Sequence, residues 1–156
     1  MEKLKNLLPR YRVMLVRESA ETFTSYPRFQ NSRDLFEIFR EEFAAFDREN
    51  FVLVTLDSKN RMIGFHTISI GSLSTSVVHS REVFKAALLQ SAAAVIFLHN
   101  HPSGDPAPSR EDRECTSRLT AAAKILGIRV LDHVILGATE YFSFADAGIL
   151  SDNSPV

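Results

Sequence analysis

The chain has 156 residues, 45% of them hydrophobic and 24% charged, with a formal net charge of −1. That balance describes one ordinary globular domain, long enough to bury a core without staples. It gives no general attraction for nucleic acid, and no apolar run approaches the roughly 20 residues of a membrane span.

Charge is nonetheless uneven along the chain. Residues 1–33 hold seven Lys/Arg against three Glu, a net of +4 that leaves −5 for the remainder. Such an arm could meet phosphate or an acidic partner, but a surplus this small more commonly marks a solvated segment. The opening MEKLKNLLPRY lacks the long apolar core of a secretion signal. The single cysteine, Cys115, excludes an internal disulfide and suits a reducing compartment, so a cytoplasmic location is expected.

In chain order, alternation of Tyr11, Val13 and Leu15 with their neighbours predicts a strand over 10–17. Residues 18–31 are polar and broken by Pro27, as in a loop or linker. Ser32 is the expected cap of a helix over 33–46, in which Leu35, Phe39, Phe43 and Phe46 form a core-facing stripe. Phe51–Leu56 and Arg61–Ile70, joined by the turn Asp57-Ser58-Lys59-Asn60, read as a hairpin. After a small-residue connection, Ser80 is the expected cap of a helix over 81–90 with Val83, Phe84, Ala87 and Leu88 on its covered side. Ala94–Leu98 is apolar throughout, the mark of a central strand covered on both faces. A helix over 110–126 stops at Gly127, and Ile128–Leu136 and Tyr141–Phe144 give two closing strands. The order β-α-β-β-α-β-α-β-β predicts a mixed α/β (α+β) fold with helices packed on a mixed sheet. The expected organisation is an arm over 1–31, one domain over 32–150 and a tail over 151–156.

The chemistry concentrates in residues 99–112, HNHPSGDPAPSRED. On an extended strand, residues two apart face the same way, so His99 and His101 address one point in space. Asp112, in the first turn of the next helix, is able to swing back to that point across the proline-rich loop. Two imidazoles and a carboxylate make a three-ligand set for zinc with a fourth position free for water. A purely structural reading is also open here. Ser109 followed by Asp112 fits a helix-capping pattern, Pro102 and Pro108 suit turns, and a strand-end His pair is often solvated. The literal His-Asn-His is unrelated to the nuclease motif of those letters, in which they are scattered.

His-x-His, seven residues, Ser, two residues and Asp together resemble the JAMM signature of JAB/MPN-domain metalloproteases. The fuller wording HNHPSGDPAPS is similar to the bacterial RadC-like branch. Further matches are Glu49-x-Phe51 with Leu56-Asp57, Arg81-Glu82-Val83, and Leu131-Asp132-His133 ahead of an apolar strand and Gly137. The resemblance covers roughly Ser32 to Ile149. It departs from the usual wording at Ser80, where proline is common. Longer members carry an N-terminal helical portion similar to a DNA-binding hairpin module. This chain has only about thirty residues there, like the short forms carried on mobile elements or phages, which weakens any inference of DNA repair.

The resemblance implies a JAB/MPN-like sheet with Zn2+ held by His99, His101 and Asp112. Zinc lowers the pKa of a bound water from about 15.7 to roughly 7, and a carboxylate must then pass a proton from that water to the leaving amine. Asp105 and Glu111, the free acids within the motif, are poorly placed for this. The position implied by the family is Glu49, far upstream. Glu82 is the rival acid, but a helix first turn accounts for it through the helix dipole. Ser109 is implied to hydrogen-bond developing charge, a role able to coexist with capping.

Other candidates read more plainly. Ser103 lacks the spacing of a nucleophile relay. His133, beside Asp132, reads as a satisfied core histidine or one supporting a ligand. His66 and His79 have no assignable partner, and Cys115 reads as a small buried residue. The expected function is zinc-dependent hydrolysis of a peptide or isopeptide bond, with a protein or peptide as substrate. The competing class is a non-catalytic interaction module associated with DNA repair or recombination; inactive relatives lose the ligands, and all are present here. A cytidine-deaminase-like reading fails for want of His-x-Glu and Pro-Cys-x-x-Cys.

Overall fold

The computed structural model describes residues 12, 14, 16, 30–71 and 78–150. Of the strand expected over 10–17, only Arg12, Met14 and Val16 are among them, and these are exposed and outside regular structure. The other residues up to 29, residues 72–77 and the tail lie outside the described residues.

Among the described residues, three helices and five strands follow: α1 (Ser32–Ala44), β1 (Asn50–Leu56), β2 (Met62–Ile70), α2 (Ser80–Leu89), β3 (Ala94–Asn100), α3 (Arg110–Ile125), β4 (Arg129–Leu136) and β5 (Tyr141–Ser143). The strands form one sheet in the order β2-β1-β3-β4-β5. β3 and β4 are parallel, while β1–β2, β1–β3 and β4–β5 pair antiparallel, so the sheet is mixed as expected. Parallel neighbours require a crossover, and α3 supplies it.

Period-two alternation in the central strands divides the interior. Val52, Val54, Ile96 and Leu98 face α1, where Leu35, Phe36, Phe39 and Phe43 cover them. Phe51, Leu53, Val95 and Phe97 face the other way, under Val83, Phe84 and Ala87 of α2 and Cys115, Leu119 and Ala123 of α3. Every residue of β1 and β3 is buried, because helices lie on both sides. The result is three layers, α1 on one face and α2 with α3 on the other.

Local caps differ from expectation in two places. Asn31, not Ser32, caps α1, its side-chain oxygen accepting from the Asp34 N–H at 3.0 Å. Ser32 lies inside the helix, buried, and donates to Asp146. His79, not Ser80, holds the cap position of α2 and makes no side-chain cap bond. α1 also ends two residues early, yet Phe46 still packs on Phe43 with ring centroids 5.2 Å apart. Leu88 proves exposed rather than core-facing. Among the described residues, no helix is long and apolar enough to cross a membrane.

Candidate metal centre

β3 delivers His99 to the α3 side of the sheet, in line with Val95 and Phe97. The strand ends at Asn100, but the His101 N–H still donates to the Leu136 carbonyl at 3.0 Å, which extends the alignment by one residue. The chain then turns at Gly104, whose φ of +83° lies in the left-handed region that favours glycine. This loop sits directly on Gly137: a Cβ there would lie 2.5 Å from the Gly104 oxygen, which no side chain tolerates. The loop hands over to α3 at Ser109, which caps the helix in a reciprocal pair with Asp112. Ser109 Oγ accepts from the Asp112 N–H at 3.1 Å, and the Ser109 N–H and Oγ–H both donate to Asp112 Oδ2, at 2.7 and 2.6 Å. Thus the cap and the candidate ligand, open alternatives in the sequence, are one arrangement. Capping aims the carboxylate back at the strand end.

His99, His101 and Asp112 converge, their candidate donor atoms all within 4.8 Å of one another. His99 Nε2 lies 3.0 Å from His101 Nε2 and 3.2 Å from Asp112 Oδ1; His101 Nε2 lies 3.5 Å from Asp112 Oδ2. Zinc bonds of about 2.0–2.1 Å at tetrahedral angles separate ligand atoms by roughly 3.3 Å, close to each of these contacts, in which the two imidazoles meet different oxygens of the carboxylate. His101 Nδ1 lies 2.7 Å from the Asp105 carbonyl, which only accepts, so that nitrogen is the protonated one and Nε2 presents its lone pair to the cluster. The donor set fits a zinc ion.

Electrostatics follow from depth. Burial pushes His99 below the ordinary imidazole value, against the opposing pull of Asp112. Half-buried His101 is lifted instead, because its charged form, with a proton on Nε2 as well as Nδ1, donates to Asp112. Burial alone would raise the Asp112 carboxyl, but hydrogen bonds to His101, His99 and Ser109 outweigh it and hold Asp112 ionised, below the usual carboxylate range.

Glu49 arrives from fifty residues upstream by strand pairing. β1 and β3 run antiparallel with Phe51 opposite His99, and continuing that register by two residues brings Glu49 abreast of His101. Its charge favours the protonated form of both imidazoles. The Glu49 carbonyl accepts from the Gly71 N–H at 2.8 Å, which ties the residue to the end of the hairpin.

Residues 29–149 match the family profile of the RadC-like JAB domain. This chain belongs to that family. It is 51% identical to a UPF0758 protein of Trichlorobacter lovleyi over 134 residues, which cover 86% of this chain and 58% of that relative. It is 47% identical over 146 residues to one from Caldanaerobacter subterraneus, with 94% and 61% covered. A UPF0758 protein of Methanosarcina barkeri is 44% identical over 132 residues, with 83% and 58% covered. The chain therefore spans about three-fifths of the length of these curated relatives.

In this RadC-like JAB domain the other acids turn away from the cluster. The Asp105 side chain accepts from the Ala107 N–H at 2.9 Å, within its own loop. Glu111 is paired with Arg110, and Glu82 with Lys85 and Arg81, all at the surface. Cys115 is a buried core residue whose thiol burial pushes up to about 11. His66 does have a partner, Gln90 at 3.1 Å, remote in sequence.

Two residues of the domain escaped sequence reasoning. Asn100, between the two histidines, points to the opposite face. Its side chain accepts from the Asn50 N–H at 2.8 Å and donates to the Arg48 carbonyl at 3.1 Å. These bonds bracket Glu49 and pin it beside the strand that bears the histidines. The only signal was the strand period itself, which sends Asn100 away from its neighbours. The second is Thr116, one helical turn beyond Asp112; it bonds His133, which in turn bonds His99. Spacing of four on a helix was the signal there.

Proposed function

We propose that this chain is a zinc-dependent hydrolase of the JAMM type, cleaving a peptide or isopeptide bond in a protein or peptide substrate. The observation that carries the reading is the convergence of His99 Nε2, His101 Nε2 and the Asp112 carboxylate at separations of 3.0, 3.2 and 3.5 Å. These three residues would hold the ion, and membership of the RadC-like JAB family supports the assignment. When bound, zinc would make water acidic near neutral pH and polarise the scissile carbonyl.

The chain's own residues supply the rest. Glu49, abreast of His101, accepts a proton from the attacking water and returns it to the leaving amine. Asn100 keeps the Glu49 backbone fixed against the strand. Ser109 Oγ gives its one proton to Asp112 Oδ2 and so orients the carboxylate; releasing that bond and rotating the hydroxyl toward charge developing on the carbonyl oxygen would add a donor worth about 3 kcal/mol in the transition state. The lone buried thiol and absence of any disulfide partner support a cytoplasmic setting.

Glu49→Gln tests the roles separately. The variant should retain stoichiometric zinc and lose hydrolysis by at least about a hundredfold, the scale of general acid–base catalysis. It should therefore capture a substrate from cell extract that the unmodified chain releases cleaved. Cleavage of that captured substrate by Glu49→Gln at the unmodified rate would remove Glu49 from the mechanism.

A further inference from the structure

Behind His99 a file of polar groups runs into the interior. His99 Nδ1 lies 2.8 Å from His133 Nε2, His133 Nδ1 lies 2.6 Å from Thr116 Oγ1, and Thr116 Oγ1 lies 2.6 Å from the Asp112 carbonyl oxygen. His99 and His133 are wholly buried and Thr116 nearly so. Phe144 stacks on the His133 ring with centroids 4.9 Å apart, and the Phe51 and Phe97 rings pack at steep angles to it, so aromatic side chains surround this imidazole.

Each link needs one donor and one acceptor, and that requirement gives the file a direction. The Asp112 carbonyl only accepts, and Thr116 has a single hydroxyl proton. When Thr116 donates to its own helix carbonyl four residues back, an ordinary bond for a helical threonine, its oxygen is left to accept from His133 Nδ1–H. His133 Nε2 then holds a lone pair and accepts from His99 Nδ1–H. His99 Nε2 is thereby left unprotonated, facing His101 and Asp112. Reversing Thr116 reverses every link and places a proton on His99 Nε2, where it would block a cation.

A ligand histidine is commonly fixed by a carboxylate or carbonyl, groups with only one hydrogen-bonding sense. Here the group behind His99 is another imidazole, which has two, so its own tautomer must be set from further back. We propose that His133 and Thr116 are positioning residues that select the Nδ1–H tautomer of His99 and so set the affinity of the site for a divalent cation. The inference rests on His99 being a metal ligand, and neither residue touches the ion or the reacting atoms.

The test uses the whole chain with zinc as the probe. Affinity is read by competition with a chromophoric chelator, stability by thermal unfolding of the metal-free protein, and tautomers by long-range nitrogen–proton correlation of the labelled imidazoles. Zinc-loaded unmodified protein should show His99 and His133 both protonated at Nδ1. Thr116→Val keeps the side chain's shape but removes the acceptor behind His133. It should weaken zinc binding roughly 10- to 100-fold, the usual scale for a ligand's outer partner, and move the His133 proton to Nε2. Thr116→Ser, which restores the hydroxyl, should bind as the unmodified chain does. A loss of packing alone would shift the unfolding temperature without moving the proton.

Unmodified affinity in Thr116→Val, or His133 protonated at Nε2 in the zinc-loaded unmodified chain, would overturn the inference and leave the metal site standing. An unmodified chain that takes up no zinc would overturn both. Should Thr116→Val fail to fold, the tautomers of the unmodified chain and the affinity of Thr116→Ser still decide the matter.

Discussion

The two faces of the sheet are built from the same strands and do different work. Toward α1, β3 sends Ala94, Ile96 and Leu98 into an apolar cluster and ends in Asn100, whose side chain bonds to the backbone on either side of Glu49. Toward α3 it sends Val95 and Phe97, then His99, whose bonds run both outward to His101 and Asp112 and inward to His133. One face fixes a chain segment; the other fixes the direction of a lone pair. Apolar packing tolerates small shifts, whereas a buried polar group left unpaired is penalised heavily, so the α3 face is the more exacting of the two.

Substitutions at adjacent strand positions break this comparison most sharply. His99→Ala should abolish zinc uptake, measured by elemental analysis. Leu98→Ala, one residue away and equally buried, should lower stability by about 2–5 kcal/mol in denaturant unfolding while leaving zinc stoichiometry intact. Asn100→Ala should fall between them. It leaves the Asn50 N–H without its acceptor, a loss of about 1–3 kcal/mol, and should lower turnover of a captured substrate more than tenfold with zinc content unchanged. Zinc loss in that variant would mean the two faces are not separable.

Asp132 sharpens the contrast at smaller scale. Its carboxylate accepts from the backbone N–H groups of His133 and Ala145 and from Ser143 Oγ, clamping β4 to the turn that follows β5. Asp132→Ala should cost about 1–3 kcal/mol, because three donors lose their acceptor. Asp132→Asn should cost less, since its oxygen still serves the two N–H groups and its amide donates to Ser143. Burial raises the Asp132 pKa. Between the ordinary carboxylate value and this raised one the folded state holds more protons than the unfolded state. This group's contribution to stability therefore falls as pH rises through that window, a slope that Asp132→Asn should remove. Smallest is the effect at Cys115: with its thiol held at about 11, alkylation of the folded protein near pH 8 should be slow and should accelerate on unfolding.

Elements with strong periodicity were legible in the sequence. The Phe stripe of α1, the unbroken apolar run of β3 and the β1–β2 hairpin need only local pattern. So was the convergence of His99, His101 and Asp112, because the two histidines lie two residues apart on and just past one strand and Asp112 lies within a helical turn of a cap. Helix starts were less legible: Asn31 and Ser32 are both good caps, and in the fold Asn31 makes the cap bond while Ser32 is buried against Asp146. Glu49 reached the site through family resemblance, since β1–β3 register is a long-range property that no local signal encodes. Asn100 and Thr116 carried only the weak local signals of strand and helix period, which give a direction but not a partner. Their importance lies in which partner the fold places across from them.

The central claim is that His99, His101 and Asp112 close on one cation. Elemental analysis of protein purified without chelators tests it most directly, with His99→Ala and Asp112→Ala prepared alongside. One zinc per unmodified chain and none in either variant is the predicted result. No zinc in the folded unmodified chain, or a full zinc complement in either variant, would contradict it.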